Sequence, residues 1–345
     1  MTVGADGHRF YLLGMGNRRK LLYRDGRLLD AMSGEALRQW DVAGELIEPS
    51  EYRVTLRTRG GEPVRITEDA DGVWLEERGA KTSLASGPVM LPRFDGHPRA
   101  ALLRALHQEI LINIVAGRPV PNLLAYPTPW YRDAAMMLMC LAKTGNLSLI
   151  ADWVAGLREP FDRNNGGDRE PDNLGEALYL ISLVSDKSHP LVGEVLKQAA
   201  RCRKGAFIVG PTDSAEHPVY QTKWLKWGLR NLGLDDPHEV PALADSYSSL
   251  FWMDYRDAHV PGPRFGDDAK RDYPYLAWAE AHFHGWAPPM RVDAGRYPLT
   301  WEANASQADY ARMRIVGEEY ADRRIAAPHG WHAAEMLLYF WEARE

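Results

Sequence analysis

Carboxylates, aromatics and an arginine recur where loops run into apolar helices, and three such junctions stand out. Trp130-Tyr131-Arg132-Asp133 opens onto Ala134–Ala142, a stretch apolar on every face and therefore fitted to the interior. Asn164–Gly175 carries Glu170 and Asp172 ahead of a second apolar run, and Arg296–Asn304 carries Trp301 and Glu302. A weaker fourth, His329-Gly-Trp331-His332, precedes the last helical stretch. Paired carboxylates suit general acid–base work. Aromatic planes beside arginine and asparagine suit sugar rings, whose apolar faces stack while their hydroxyls take directional hydrogen bonds. A structural reading competes at each junction. Asp133 and Asp172 can cap helices, Asn173 with Glu176 fits a capping box, and Glu302 in a first helical turn would complement the dipole. For a single junction the two readings compete evenly; three aromatic-rich junctions in one chain favour a polar cleft.

Other residues have less to offer. Lys223 and Trp224, in Tyr220-Gln-Thr-Lys-Trp224, could supply a cation and a stacking platform, although tryptophans at helical spacing more often belong to a core. His282, His284, His329 and His332 raise a metal site. The i, i+2 spacing is poor for two ligands on one helix and no HExxH pattern accompanies them, so no metal is expected. Asp235-Asp236 and Asp267-Asp268 sit in Gly- and Pro-rich loops and read as solvated. Neither a Gly-x-Gly-x-x-Gly nor a Walker pattern occurs, so no nucleotide cofactor is expected.

The elements that must position these groups fall into two blocks. Residues 1–90 read as a small antiparallel β-sheet domain, with Phe10–Met15, Arg19–Tyr23, Arg27–Ala31, Glu51–Thr58, Pro63–Thr67 and Val73–Glu77 as strands and Asp25-Gly26 as a hairpin turn. The Gly- and Pro-rich Ser83–Pro98 leads out of it, with 91–98 as the linker. From 99 to 345 the pattern is helical, with helices expected over 99–116, 133–144, 147–158, 173–185, 190–203, 218–232, 241–255, 272–284, 301–320 and 330–343. Strands and helices are segregated, which excludes a doubly wound α/β fold. Without a repeated motif a solenoid is disfavoured. Apolar helices (133–144, 173–185) alternating with charged ones (147–158, 190–203) predict a mostly α protein, a closed α/α toroid of helical hairpins whose loops at one end line a central cleft.

Here the motifs resemble a known family. Trp130-Tyr131-Arg132-Asp133-Ala134-Ala135 resembles the aromatic-x-Arg-Asp-Ser/Ala segment of the six-hairpin glycosidases, glucoamylases in particular, where the Arg-Asp pair grips the terminal sugar. Thr300-Trp301-Glu302-Ala303 resembles the late segment that carries their catalytic base, and Ala327–Ala334, with Trp331, resembles their closing helix. Glu170 falls where the general acid would lie, but Arg169-Glu170-Pro171-Asp172 departs from the family's Trp-Glu-Glu, which leaves the acid open between Glu170 and Asp172. The resemblance implies an (α/α)6-type toroid, here with one hairpin reduced, and an inverting exo-glycosidase in which Glu302 serves as base. Arg132, Asp133, Trp130, Tyr131, Trp301, Lys223, Trp224, His329 and Trp331 would then bind substrate.

Composition sets the outer bounds. The chain has 345 residues, 45% hydrophobic and 26% charged, a normal soluble balance. A net charge of −6 offers nothing to nucleic acid or an anionic membrane surface. Two cysteines, Cys140 and Cys202, lie in helical patterns and read as buried thiols. No signal-peptide core and no membrane span is discernible, so a cytoplasmic location is expected. The expected substrate is a short oligosaccharide or glycoconjugate. The alternatives are a sugar epimerase or lyase on the same toroid, using His282, His329 or His332, and a non-catalytic sugar-binding protein.

Overall fold

Two antiparallel meanders open the chain. The computed structural model describes residues 10–243 and 294–342; the helix expected over 241–255, from residue 244 on, and the one over 272–284, with His282, His284 and Asp267-Asp268, lie outside the described residues. The first meander joins β1 (Phe10–Leu13), β2 (Leu21–Arg24), β3 (Arg27–Asp30) and β4 (Ala36–Gln39) in sequence order. Its β2–β3 turn is tight because Asp25 and Gly26 both take positive φ, 46° and 71°. The second joins β5 (Val42–Glu48), β6 (Arg53–Thr58), β7 (Pro63–Glu68), β8 (Gly72–Glu77) and β9 (Ala80–Ser86). Its period-two pattern is explicit in the packing. Val54, Leu56, Val64, Ile66, Val73 and Leu75 are buried on one face, and Val54 pairs with Ile66, which pairs with Leu75.

Helices follow: α1 (Ala100–Ile112), α2 (Tyr131–Thr144), the short α3 (Ala151–Ala155), α4 (Asp172–Val184), α5 (Leu191–Cys202), α6 (Pro218–Asn231), the short α7 (Glu318–Asp322) and α8 (Gly330–Glu342). Hairpins of two-residue strands are inserted between them: β10 (Ile114–Val115) with β11 (Arg118–Pro119), β12 (Arg203–Lys204) with β13 (Phe207–Ile208), and β14 (Pro211–Thr212) with β15 (Ala215–Glu216). A last pair, β16 (Glu302–Ala303) with β17 (Ile325–Ala326), precedes α8. Five helices pack in a row, α1 on α8, α8 on α2, α2 on α4 and α4 on α6, with α3 and α5 against α4. Helix α2 is buried from Tyr131 to Leu141 and stops at Gly145, whose φ of 77° supplies the left-handed cap. Helices α4 and α6 touch backbone to backbone. A Cβ on Gly175 would lie 2.1 Å from the Trp224 carbonyl carbon, and one on Gly228 would lie 2.6 Å from the Gly175 oxygen.

This architecture corrects the expected fold. The described residues are 36% helix and 23% strand, with a four-stranded and a five-stranded antiparallel sheet among several. Among the described residues the fold is therefore not mostly α, and no (α/α)6-type toroid is evident. The physical reason lies in 301–320 and 147–158. The alanine-rich 301–320 has helical propensity, yet Glu302 and Ala303 pair with Ala326 and Ile325, and Asp309 caps a 3-10 turn over Tyr310–Ile315. Long-range pairing overrides a propensity worth only tenths of a kcal/mol per residue, roughly. In 147–158 only a 3-10 turn and the five-residue α3 form. Strands β4, β5 and the full length of β9 are additions to the strands read from the sequence. Residues of the first ninety contribute to both buried clusters: Met15, Tyr52 and Val89 join the helices, and Phe10 and Tyr11 meet Tyr297 and Tyr320.

Candidate functional site

Arg132 and Asp133, in the first turn of α2, sit between two groups of polar side chains. Trp130 enters the helix in extended conformation without a side-chain cap, so Asp133 is not consumed as an N-cap. The Arg132 guanidinium is buried. Its Nη1 donates to Asp172 Oδ2 at 2.8 Å and lies 3.8 Å from Glu170 Oε2, while Nη2 lies 3.3 Å from Asp213. Trp130 and Trp331 flank it, their ring centroids 5.6 and 5.7 Å from Cζ.

The two acid candidates differ sharply. Asp172 is fully enclosed and both its oxygens are engaged, one by Arg132 and one by the Thr212 hydroxyl at 2.8 Å, which in turn accepts from Gln221. Glu170 Oε1 accepts from the Asp213 backbone N–H at 2.6 Å and from Asn165 at 3.2 Å, but its Oε2 makes no hydrogen bond among the described residues. Burial pushes the Glu170 pKa up, Arg132 opposing and Asp172 adding repulsion. Close by, Glu176, held by Asn173 and Tyr220, is driven well up by burial and by repulsion from Asp172.

The second group converges on one atom, His329 Nε2. It lies 2.8 Å from Glu302 Oε2, 2.7 Å from the Tyr126 hydroxyl and 3.7 Å from Asp133 Oδ1. Tyr126 also hydrogen-bonds Glu302 directly. The His332 backbone N–H faces His329 Nδ1 at 3.4 Å, which places the imidazole proton of the neutral ring on Nε2, toward the carboxylates. Burial works against charge on His329, but attraction to Glu302 and Asp133 outweighs it and raises the pKa above the ordinary value. For Glu302, burial is likewise outweighed by His329 and the pKa falls below the usual range. The Glu302 side chain is 28% exposed and its Oε1 makes no hydrogen bond among the described residues, so one oxygen is available to water. Asp133 is pushed up to about 6 by burial, with His329 and Arg132 pulling it back. His332 donates from Nδ1 to the Trp301 carbonyl at 2.8 Å, and burial and His329 lower it to about 3.

The structure thus brings Arg132, Asp133, Glu170, Asp172, Glu302, His329, Trp130 and Trp331 into one connected group, with Trp301 holding His332. Glu302 lies on β16, not in a helical turn as the sequence suggests. Tyr131 is engaged away from this group: it donates its hydroxyl to the Glu159 carbonyl and packs on Trp153. Lys223 and Trp224 are buried in α6, Trp224 against Tyr179 and Tyr220. Sequence reasoning missed Tyr126 and Asp213. Tyr126 stands four residues before Trp130, and Asp213 takes positive φ at the β14–β15 turn, in Pro-Thr-Asp-Ser. Among the described residues no group of three or more His, Cys, Asp or Glu side chains is placed to hold a metal ion, and no helix is long and apolar enough to cross a membrane. No protein-family model, no curated protein and no solved structure matches the chain.

Proposed function

We propose that the protein is a carbohydrate-active enzyme, an inverting exo-glycosidase acting on short oligosaccharides or glycoconjugates. One observation carries the reading: two carboxyl groups of opposite protonation bias, Glu170 neutral-leaning and Glu302 ionised, joined through Arg132, Asp133 and His329. In an inverting displacement water attacks the anomeric carbon, the base takes its proton, and the acid protonates the departing oxygen. Glu302 Oε1 serves as the base, with Oε2 anchored by His329 and Tyr126. Glu170 Oε2 serves as the acid. Asp172 is a positioning residue for Arg132, not the acid. Arg132 and Asp133 bind sugar hydroxyls, and the partly exposed Trp301 and Trp331 offer ring faces. The order of Arg132-Asp133 and the late Glu302, which resembles the glucoamylase pattern, supports the reading independently of the toroid.

The 2.7 Å contact between His329 Nε2 and the Tyr126 hydroxyl favours a second reading, proton removal from a sugar carbon by an epimerase or lyase. A screen of aryl glycosides and oligosaccharides in D2O, followed by anomer-resolved NMR, separates the two. Inverted free sugar supports hydrolysis. Deuterium at a ring carbon, or an unsaturated product, supports the second reading. Binding without turnover would identify a sugar-binding protein and remove both.

A further inference from the structure

We infer that Glu109, outside the acid–base group, is a positioning residue for the Glu302–His329 pair and acts through Thr300. The catalytic meaning of this inference rests on the reading above; the geometry does not. Glu109 is wholly buried in α1, among apolar neighbours such as Leu106, Ile110 and Leu111. A carboxyl group there is costly unless its oxygens are engaged. One oxygen accepts the Leu299 backbone N–H. The other accepts the Thr300 N–H at 3.1 Å and lies 2.5 Å from the Thr300 hydroxyl. That hydroxyl stands 3.1 Å from His329 N and 3.2 Å from His329 O.

One side chain therefore ties three segments together: α1, the residues entering β16, and the start of α8. Glu302 is the second residue after Thr300, and His329 immediately precedes α8, so both partners of the pair are hung from the same hydroxyl. Burial pushes Glu109 up to about 8 against the hydrogen bonds that favour its charge. The Thr300 hydroxyl, in hydrogen-bond contact with Glu109, takes the His329 N–H on its oxygen, and the His329 carbonyl accepts the Ala333 N–H. Every polar group in the chain of contacts is satisfied in this arrangement.

The test needs no substrate. His329 is one of eleven histidines, so its Cε1–H NMR titration in the full chain is assigned by its loss in His329→Asn. Among the described residues, Tyr126, Asp133, Glu302, His332 and Glu335 are titratable groups that face it. Thr300→Val removes the hydroxyl at nearly constant volume. The His329 midpoint is then expected to fall by about one pH unit as Glu302 draws away. Glu109→Gln sets an amide N–H against the Thr300 N–H and is expected to shift it in the same direction. Thr300→Ser keeps the hydroxyl and is expected to leave it in place. A folded Thr300→Val or Glu109→Gln protein with an unmoved midpoint overturns the inference. So does a lowered midpoint in Thr300→Ser, because methyl packing would then be responsible. On a hydrolysed substrate, Thr300→Val is expected to lower kcat at little change in KM. Failure to hydrolyse any glycoside would remove the proposed function and leave the titration result standing.

Discussion

Glu170 and Asp172 are two residues apart, carry the same functional group and touch the same arginine, yet their surroundings assign them different work. Asp172 compensates a buried guanidinium with both oxygens in use. Removing its charge takes from the buried Arg132 its nearest counter-charge, so Asp172→Asn is expected to destabilise the protein by about 3 kcal/mol, read by urea unfolding. Glu170→Gln keeps the Oε1 contacts and is expected to unfold within about 1 kcal/mol of wild type. It should lose at least about 10²-fold in turnover on glycosides with poor leaving groups and far less on dinitrophenyl glycosides, whose leaving group needs no proton. A loss independent of the leaving group would remove Glu170 as the acid. Glu302→Gln is expected to fold and to lose at least about 10²-fold with either leaving group. Full activity of that variant on an identified substrate would end the base assignment.

At the scale of elements, the seam between α4 and α6 is the tightest contact in the helical row. Asn173 and Asp172 stand at its start and Thr212 and Gln221 at its far side, so the seam's spacing fixes where Arg132 can be held. Gly175→Ala places a methyl 2.1 Å from the α6 backbone, far inside van der Waals contact, and backbone cannot yield as a flexible side chain could. The expected cost is at least about 1–3 kcal/mol, the usual range for overpacking. A thermal midpoint equal to wild type would show that the helices separate freely. Helices of this kind were legible in the sequence because each buries a continuous apolar stretch between turn residues, as α2 does between Trp130 and Gly145. The pairing of Glu302 with Ala326 was not legible, since two-residue strands leave no periodicity and their partners lie far along the chain. The site followed the same rule. Arg132, Asp133, Glu302 and His329 were visible as residues at loop-to-helix junctions. Tyr126 was not, because its role depends on a contact across 203 positions.

For the molecule as a whole, burial of ionisable groups makes stability respond to pH in two opposed directions. His107 and His332 are both lowered to about 3 by burial, so they are neutral when folded. Their contribution is complete above the ordinary value of 6.5 and is lost as pH falls toward 3. Glu109 behaves oppositely. Its folded pKa of about 8 lies above the ordinary 4.5, so the folded state holds a proton that the unfolded chain releases. The stability it contributes is complete below about 4.5, declines as pH rises, and is gone above about 8. Glu109→Gln cannot ionise and removes this dependence; the accompanying fall of the His329 midpoint acts in the same direction and is smaller, and His107 keeps its own. The unfolding free energy of the variant minus that of wild type is therefore expected to rise between pH 4.5 and 8.5 by on the order of 4 kcal/mol. Urea titrations of both proteins at pH 4.5, 6.0, 7.0 and 8.5 measure it. A difference that stays constant across that range would mean that Glu109 ionises alike in the folded and unfolded chains, and that the cluster around Thr300 holds a carboxylate at neutral pH.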